Sequence, residues 1–144
     1  MKYMALDPGG TTGWVFYDSY LDIWEVGQIG PHEHHQTLWR LLEDYKPNII
    51  IDERFEYQRR DLEKGVSLVL ISREYIGVAK LWCAMHARQH ILHQVAYKRF
   101  FDDNKLKLMG RFLPGCKHAN DAMRHMLYHL VITEGHKEFL VKPE

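Results

Sequence analysis

The run Asn48-Ile49-Ile50-Ile51-Asp52 constrains the fold more than any other stretch of the chain. Three consecutive β-branched residues leave no polar face, so a strand formed here is covered on both sides. That is the pattern of a parallel strand inside a sheet flanked by helices. Its C-terminal end carries two adjacent acids, Asp52 and Glu53.

The flanking segments fit such a sheet. Residues 2–7, 13–18 and 22–29 read as three strands, and the short connections between them make an antiparallel meander. The first connection follows Asp7 with Pro8, Gly9, Gly10, Thr11, Thr12 and Gly13. Pro fixes one torsion and Gly permits positive φ, so the chain reverses beside a carboxylate that nothing bulky covers. Leu38, Leu41, Leu42 and Tyr45 have helical spacing over residues 33–45, and Lys46-Pro47 ends that helix. Residues 54–64 read as an Arg-rich loop. Leu68, Ile71, Tyr75, Val78, Trp82 and Met85, spaced 3, 4, 3, 4 and 3, predict a long amphipathic helix. Residues 91–95 are predicted as a fifth strand, 97–109 as a basic helical segment, and 119–133 as a final helix with one apolar side. The order βββαβαβα predicts an α/β protein with a mixed five-stranded sheet, three strands in an antiparallel meander and the others parallel, flanked by helices. This is the order of the ribonuclease H-like fold, and the pattern alone leaves other α/β folds open.

At 144 residues and 46% hydrophobic, with no linker or repeat, residues 1–144 are expected to form a single domain. No apolar run nears the roughly 20 residues that span a bilayer, and the N-terminus lacks the apolar core of a signal peptide. Cys83 and Cys116 have neither disulfide-framework nor zinc spacing. A cytoplasmic location is the expectation. The net charge is zero, yet residues 1–53 hold three Lys/Arg against nine Asp/Glu, and residues 54–124 hold fourteen against seven. An acidic first third and a basic middle suit carboxylates that gather a cation beside basic side chains that hold phosphates.

Asp7 closes the first strand, Glu53 the fourth, and His118 and Asp121 lie at i, i+3 on one face of the last helix. If the two strands are adjacent and parallel, their acids share one sheet edge, where open α/β sheets build sites. Clustered carboxylates repel one another, and Mg²⁺, as a pair of ions, relieves that repulsion while activating water at a phosphodiester. Each residue also has a structural role open to it: Asp7 as a turn cap, Glu53 as a partner of Arg54 or Arg59, Asp121 as a complement to the helix dipole, and His118 as ligand, base or cap. Asp52 and Glu53 point to opposite faces, and Glu53, nearer the strand end, is the favoured ligand. His32, His34 and His35 beside Glu33 read as a solvated cap, and His86, His90 and His93 as exposed.

These motifs resemble those of the RuvC-like Holliday junction resolvases, particularly the shorter type encoded by phages of actinobacteria. The matching stretches are Leu6-Asp7-Pro8-Gly9 with Thr11-Thr12-Gly13-Trp14, Ile51 to Glu56, Ser72 to Val78, and His118-Ala119-Asn120-Asp121-Ala122 through His125. The resemblance implies a ribonuclease H-like fold and a dimer. It also implies a Mg²⁺ or Mn²⁺ site made by Asp7, Glu53, His118 and Asp121, and cleavage of four-way DNA junctions. Arg54, Arg59, Arg60, Lys98, Lys105 and Lys107 are the expected DNA-binding residues, with Phe55 and Tyr57 available for stacking on unpaired bases. The stripe containing Leu68, Ile71, Tyr75, Val78 and Trp82 is the expected homodimer helix, although a helix with a wide apolar arc also covers a sheet. Two other readings stay open: a noncatalytic branched-DNA-binding module on the same fold, and, from the Asp7–Gly13 turn, a fragment of an actin-like kinase phosphate loop.

Overall fold

A computed structural model describes residues 1–31, 33, 35–56 and 67–142, with backbone only for 67–70. Five strands form one mixed sheet: β1 (Lys2–Asp7), β2 (Thr12–Asp18), β3 (Ile23–Ile29), β4 (Ile49–Glu53) and β5 (Gln89–His93), in the order β3-β2-β1-β4-β5. The β1–β2 and β2–β3 pairs are antiparallel, and β1–β4 and β4–β5 are parallel. This is the mixed α/β sheet expected from the order of elements.

Strand alternation sorts the core into two layers. Tyr3, Ala5, Val15, Tyr17, Ile49 and Ile51 face one side and meet Ala122, Met123, Met126, Leu127 and Leu130 from helix α4 (Lys117–Leu127) and the turn after it. Met4, Leu6, Phe16 and Ile50 face the other side and meet Leu38 and Leu42 of α1 (His35–Tyr45) and Tyr75, Ala79, Trp82 and Cys83 of α2 (Ser67–His86). The three isoleucines of β4 thus serve both layers. Lys46, at φ 49, turns the chain out of α1 ahead of Pro47. Both cysteines are free. Among the described residues no helix is long and apolar enough to cross a membrane.

Several boundaries differ from those predicted. The fifth strand spans residues 89–93 rather than 91–95, because Ala87 (φ 53) closes α2 and the amide of Gln89 donates to Asn48 O at 3.1 Å at once. The segment 97–109 is two pieces: a 3₁₀ helix (Val95–Phe100) and α3 (Asp103–Leu108). Phe101 is buried in the core between them, and Asp102 caps α3 by accepting from the Lys105 amide at 2.9 Å. The last helix begins at Lys117 and widens into a π-helical segment, Tyr128–Thr133. Residues 57–64 of the Arg-rich loop lie outside the described residues, as do His32 and His34.

Most of the stripe on α2 serves the chain's own core. Tyr75 and Trp82 are buried within the chain itself, Ile71 and Val78 are partly buried there, and the side chain of Leu68 is not described. The apolar arc covers the sheet and α1, where Trp82 Nε1 donates to Glu43 Oε1 at 2.9 Å. On the outward side of α2, Leu81 and Met85 are exposed.

Candidate active site

Helix α4 assembles the site, and two features from other strands set where it starts. Its N-cap residue, Cys116, makes no side-chain cap. Instead Oε1 of Gln28, on β3, accepts from the amides of His118 (3.2 Å) and Ala119 (3.3 Å). Gly13, on β2, lets the helix come down against the sheet, because a β-carbon there would lie 2.0 Å from the carbonyl carbon of His118. Asn120 ties the preceding loop to the helix through a pair of 2.8 Å bonds, accepting from the Leu113 amide and donating to the Leu113 carbonyl.

The parallel register pairs Leu6 with Asp52 and so sets Asp7 and Glu53 side by side at the ends of β1 and β4. Alternation turns both toward α4. Nδ1 of His118 lies 3.2 Å from Oδ2 of Asp7. Nζ of Lys98 lies 3.0 Å from Oε2 of Glu53 and 3.6 Å from Oδ2 of Asp121, bridging the strand acid and the helix acid. Asp121 is also held by Nη1 of Arg124 at 2.6 Å, and Arg124 is itself fixed by Phe101 O and Asp103. Nε2 of His125 lies 2.8 Å from Oε2 of Glu53. An open cavity of about 470 Å³ adjoins Asp121, lined by Lys98, Arg99, Asp102, Asp103, Asn104 and Arg124.

Charge is crowded here, and the acids respond differently. Burial raises the pKa of Asp7, and the Glu53 and Asp121 carboxylates add to the rise, opposed by the His118 hydrogen bond and Lys98. Glu53 is lowered: burial pushes it up, but His125 and Lys98 together outweigh burial. Burial pulls Lys98 down, and Glu53 and Asp121 more than reverse this, so the ammonium is firmly charged. The hydrogen bond to Asp7 raises His118, against burial.

One solved structure places this architecture among known proteins. T. thermophilus RuvC in complex with Holliday junction substrate matches with a TM-score of 0.65 over 93% of this chain and 96% of that one, at 15% identity. The chain has the RuvC fold. No family model matches the sequence, and no curated protein does either. The likeness is therefore one of fold: a ribonuclease H-like sheet with helices on both faces.

Asp7, Glu53, His118 and Asp121 meet on the α4 face. Asp52 points to the opposite face, where it is fully buried with Oδ2 2.5 Å from Nε2 of His90 and Oδ1 without a partner. Among the described residues, no three His, Cys, Asp or Glu side chains close around one point as tightly as a bound metal requires. The donor set nonetheless fits a hard divalent cation in kind, with three carboxylates and one imidazole. Burial is the main cause of the rise in Asp7, and the part that Glu53 and Asp121 add is a repulsion that a cation relieves. Lys98, Arg124 and His125 pair with Glu53 and Asp121.

Of the residues expected to bind DNA, Lys98 lies among the acids instead of on an outer surface, because the 3₁₀ helix swings it back over β4. Arg54 is exposed. Lys105 is exposed with Nζ on Phe100 O at 2.9 Å, and Lys107 Nζ lies 4.7 Å over the Phe112 ring. Arg59, Arg60 and Tyr57 lie outside the described residues. His90 and His93, expected to be exposed, are not: His90 pairs with Asp52, and His93 is buried against His125 of α4 and the Tyr97 and Tyr128 rings. Sequence reasoning gave Gln28, Arg124 and His125 no role of their own, although Arg124 and His125 lie in the last matching stretch. For His125, i+4 from Asp121, the shared helix face was the available clue.

Proposed function

We propose that this chain is a metal-dependent endodeoxyribonuclease selective for branched DNA, four-way junctions above all, which hydrolyses phosphodiester bonds as a homodimer. The observation that carries the reading is the meeting of Asp7, Glu53, His118 and Asp121 across two parallel strand ends and one helix. The fold shared with RuvC, a protein solved with a Holliday junction, supports the substrate class. The motif spelling favours the shorter phage-encoded type within that group.

Asp7, Glu53, His118 and Asp121 are the residues that would hold Mg²⁺ or Mn²⁺, most simply as two ions. Such ions supply a nucleophilic water at neutral pH and stabilise the leaving oxygen. The chain's own residues do the rest. Arg124 fixes the Asp121 carboxylate, and His118, in the neutral tautomer that leaves Nδ1 bare, offers that atom as a ligand or a proton acceptor. Lys98 provides a cation where the scissile phosphate would sit, and Arg54, Arg59, Arg60, Lys105 and Lys107 are proposed to engage flanking phosphates. Leu81 and Met85, exposed on α2, support a dimer built on that helix, and two sites related by a dyad would make paired incisions.

A panel of four-way junctions, flaps, duplex and RNA–DNA hybrid, incubated with Mg²⁺, Mn²⁺ or chelator, tests the reading. The expected result is metal-dependent cutting of junction strands, abolished by Asp7→Asn, Glu53→Gln or Asp121→Asn while junction binding persists. The noncatalytic reading draws on the internal compensation of the acids by Lys98 and Arg124. Junction binding without cleavage under every metal condition would favour it.

A further inference from the structure

Behind the acid cluster, β5, α4 and the π-helical segment after it bury three histidines: His93 at 3% exposure, His125 at 0% and His129 at 4%. Two of them form a line that ends on a candidate ligand. Nε2 of His125 is 2.8 Å from Oε2 of Glu53, and Nδ1 of His125 is 3.1 Å from Nδ1 of His93. A carboxylate can only accept, so Nε2 of His125 carries a proton. Two facing Nδ1 atoms need one proton between them. Burial, together with the neighbouring imidazoles of His125 and His129, drops the His93 pKa to about 3, so His93 stays neutral at working pH. A neutral His125 has a bare Nδ1, and His93 then donates from its own Nδ1.

We propose that His125 and His93 are positioning residues: a buried two-imidazole relay that fixes the Glu53 carboxylate toward Asp7 and Asp121. The inference rests on reading Glu53 as a metal ligand. The surroundings match this role. Tyr97 and Tyr128 stack at 4.2 Å, and both rings lie edge-on to His93, at 5.1 and 5.3 Å, closing the apolar side of the relay. From β5 the backbone joins in, since the His93 carbonyl accepts from the Arg54 amide at 2.8 Å and pins the residue after Glu53. On the open side Lys98 reaches the same carboxylate oxygen as His125. Glu53 is thus clamped between a fixed buried donor and a mobile-stemmed cation. A ligand whose orientation is set before the ion arrives loses less on binding, and partners of this kind are worth about 10-fold to 100-fold in metal affinity.

The test uses the full chain without DNA. Calorimetric titration with Mn²⁺ should show His125→Leu binding at least about ten-fold more weakly than the parent. His125→Gln, whose amide N–H can replace Nε2–H, should stay much closer to the parent, and His93→Leu should fall between. A folded His125→Leu that binds Mn²⁺ like the parent overturns the relay and leaves the nuclease reading standing. A parent that binds no Mn²⁺ overturns the nuclease reading instead. Imidazole ¹⁵N spectra of the metal-free protein then decide the relay, and they serve equally if His125→Leu does not fold. Resonances of His125 and His93 that both move on Glu53→Gln support it, and resonances that stay in place overturn it.

Discussion

Gly13 and His118 pack backbone against backbone: here the sheet presents a glycine to the first turn of the helix that carries two candidate ligands. A methyl group at Gly13 would sit 2.0 Å from both the carbonyl carbon and the carbonyl oxygen of His118. Backbone on both sides leaves nothing flexible to yield. Gly13→Ala should therefore cost about 2 kcal/mol or more in stability. It should also lift α4 away from Asp7, so that cleavage falls by more than the unfolded fraction accounts for. Chemical denaturation alongside junction cleavage checks this, and a variant with parental stability contradicts it.

Lys98 holds a position that a bound cation must contest, since its ammonium reaches both Glu53 and Asp121. Two like charges about 4 Å apart repel by about 1 kcal/mol even at the dielectric constant of water. Lys98→Met should accordingly bind Mn²⁺ about five-fold more tightly while losing most cleavage, because a cation facing the phosphate is gone. Calorimetry and single-turnover cleavage measure the two effects, and weaker Mn²⁺ binding in Lys98→Met would contradict the first.

His118 gives the site a pH dependence of defined sign. The hydrogen bond to Asp7 raises its pKa above the ordinary value of about 6.5. Only the neutral ring can act as ligand or base. At limiting metal, activity should fall on acidification with a midpoint above about 6.5, and more metal should move the midpoint down as ion and proton compete for Nδ1. His118→Asp should keep substantial activity and lose this acid limb, whereas His118→Ala should lose most activity while folding. A rate profile from about pH 5.5 to 9, bracketing the ordinary histidine value, separates these outcomes. An alanine variant as active as the parent throughout makes His118 structural.

His93 acts on stability in the opposite sense. Its folded pKa, about 3, is below the value of about 6.5 expected in the unfolded chain, so the unfolded state takes up the proton first. Stability is complete above about pH 6.5 and declines as pH falls toward 3, by up to about 1.4 kcal/mol per unit for this group. His118 and the raised carboxyls Asp7 and Asp52 act the other way, favouring the folded state as pH falls. The parent should therefore be compared with His93→Asn, whose amide can replace the Nδ1 donor without titrating. Denaturation at about pH 7 and pH 5, either side of the histidine value, should show the parent losing more stability than His93→Asn, and equal losses contradict the assignment.

Much of the sheet could be read from sequence because its strands obey local rules. Glycine and short turns specify the meander, and the isoleucine run specifies a central strand. The coming together of Asp7 and Glu53 followed from two strand ends and one assumption of adjacency. What sequence did not supply was long-range and polar. Lys98 sits in a segment that reads as one basic helix, whereas the chain forms a separate 3₁₀ helix there, with Phe101 buried after it and Lys98 set among the acids. His93 and His125 are 32 residues apart, and no periodicity announces a hydrogen bond between them. The α2 stripe was visible as a pattern, but periodicity does not say whether an apolar arc meets its own sheet or another chain.

The isoleucine run has a further consequence, in the information that fixes strand alignment. Moving a strand by one residue exchanges its two faces, and most sheets forbid this because a polar residue would enter the core. Here the shift would exchange isoleucine for isoleucine and bring Asp52 to the α4 face in place of Glu53, one methylene short. The apolar residues of β4 are thus nearly indifferent to the error that would damage the site most. Discrimination falls to the polar ends of the strand. Asn48 locks onto Lys2 twice, accepting from its amide through Oδ1 and donating to its carbonyl, both at 2.8 Å, and Asp52 is claimed on the far face by His90. In this chain the alignment of the strand that carries Glu53 is encoded by an asparagine and a buried acid–imidazole pair, not by the greasy residues between them.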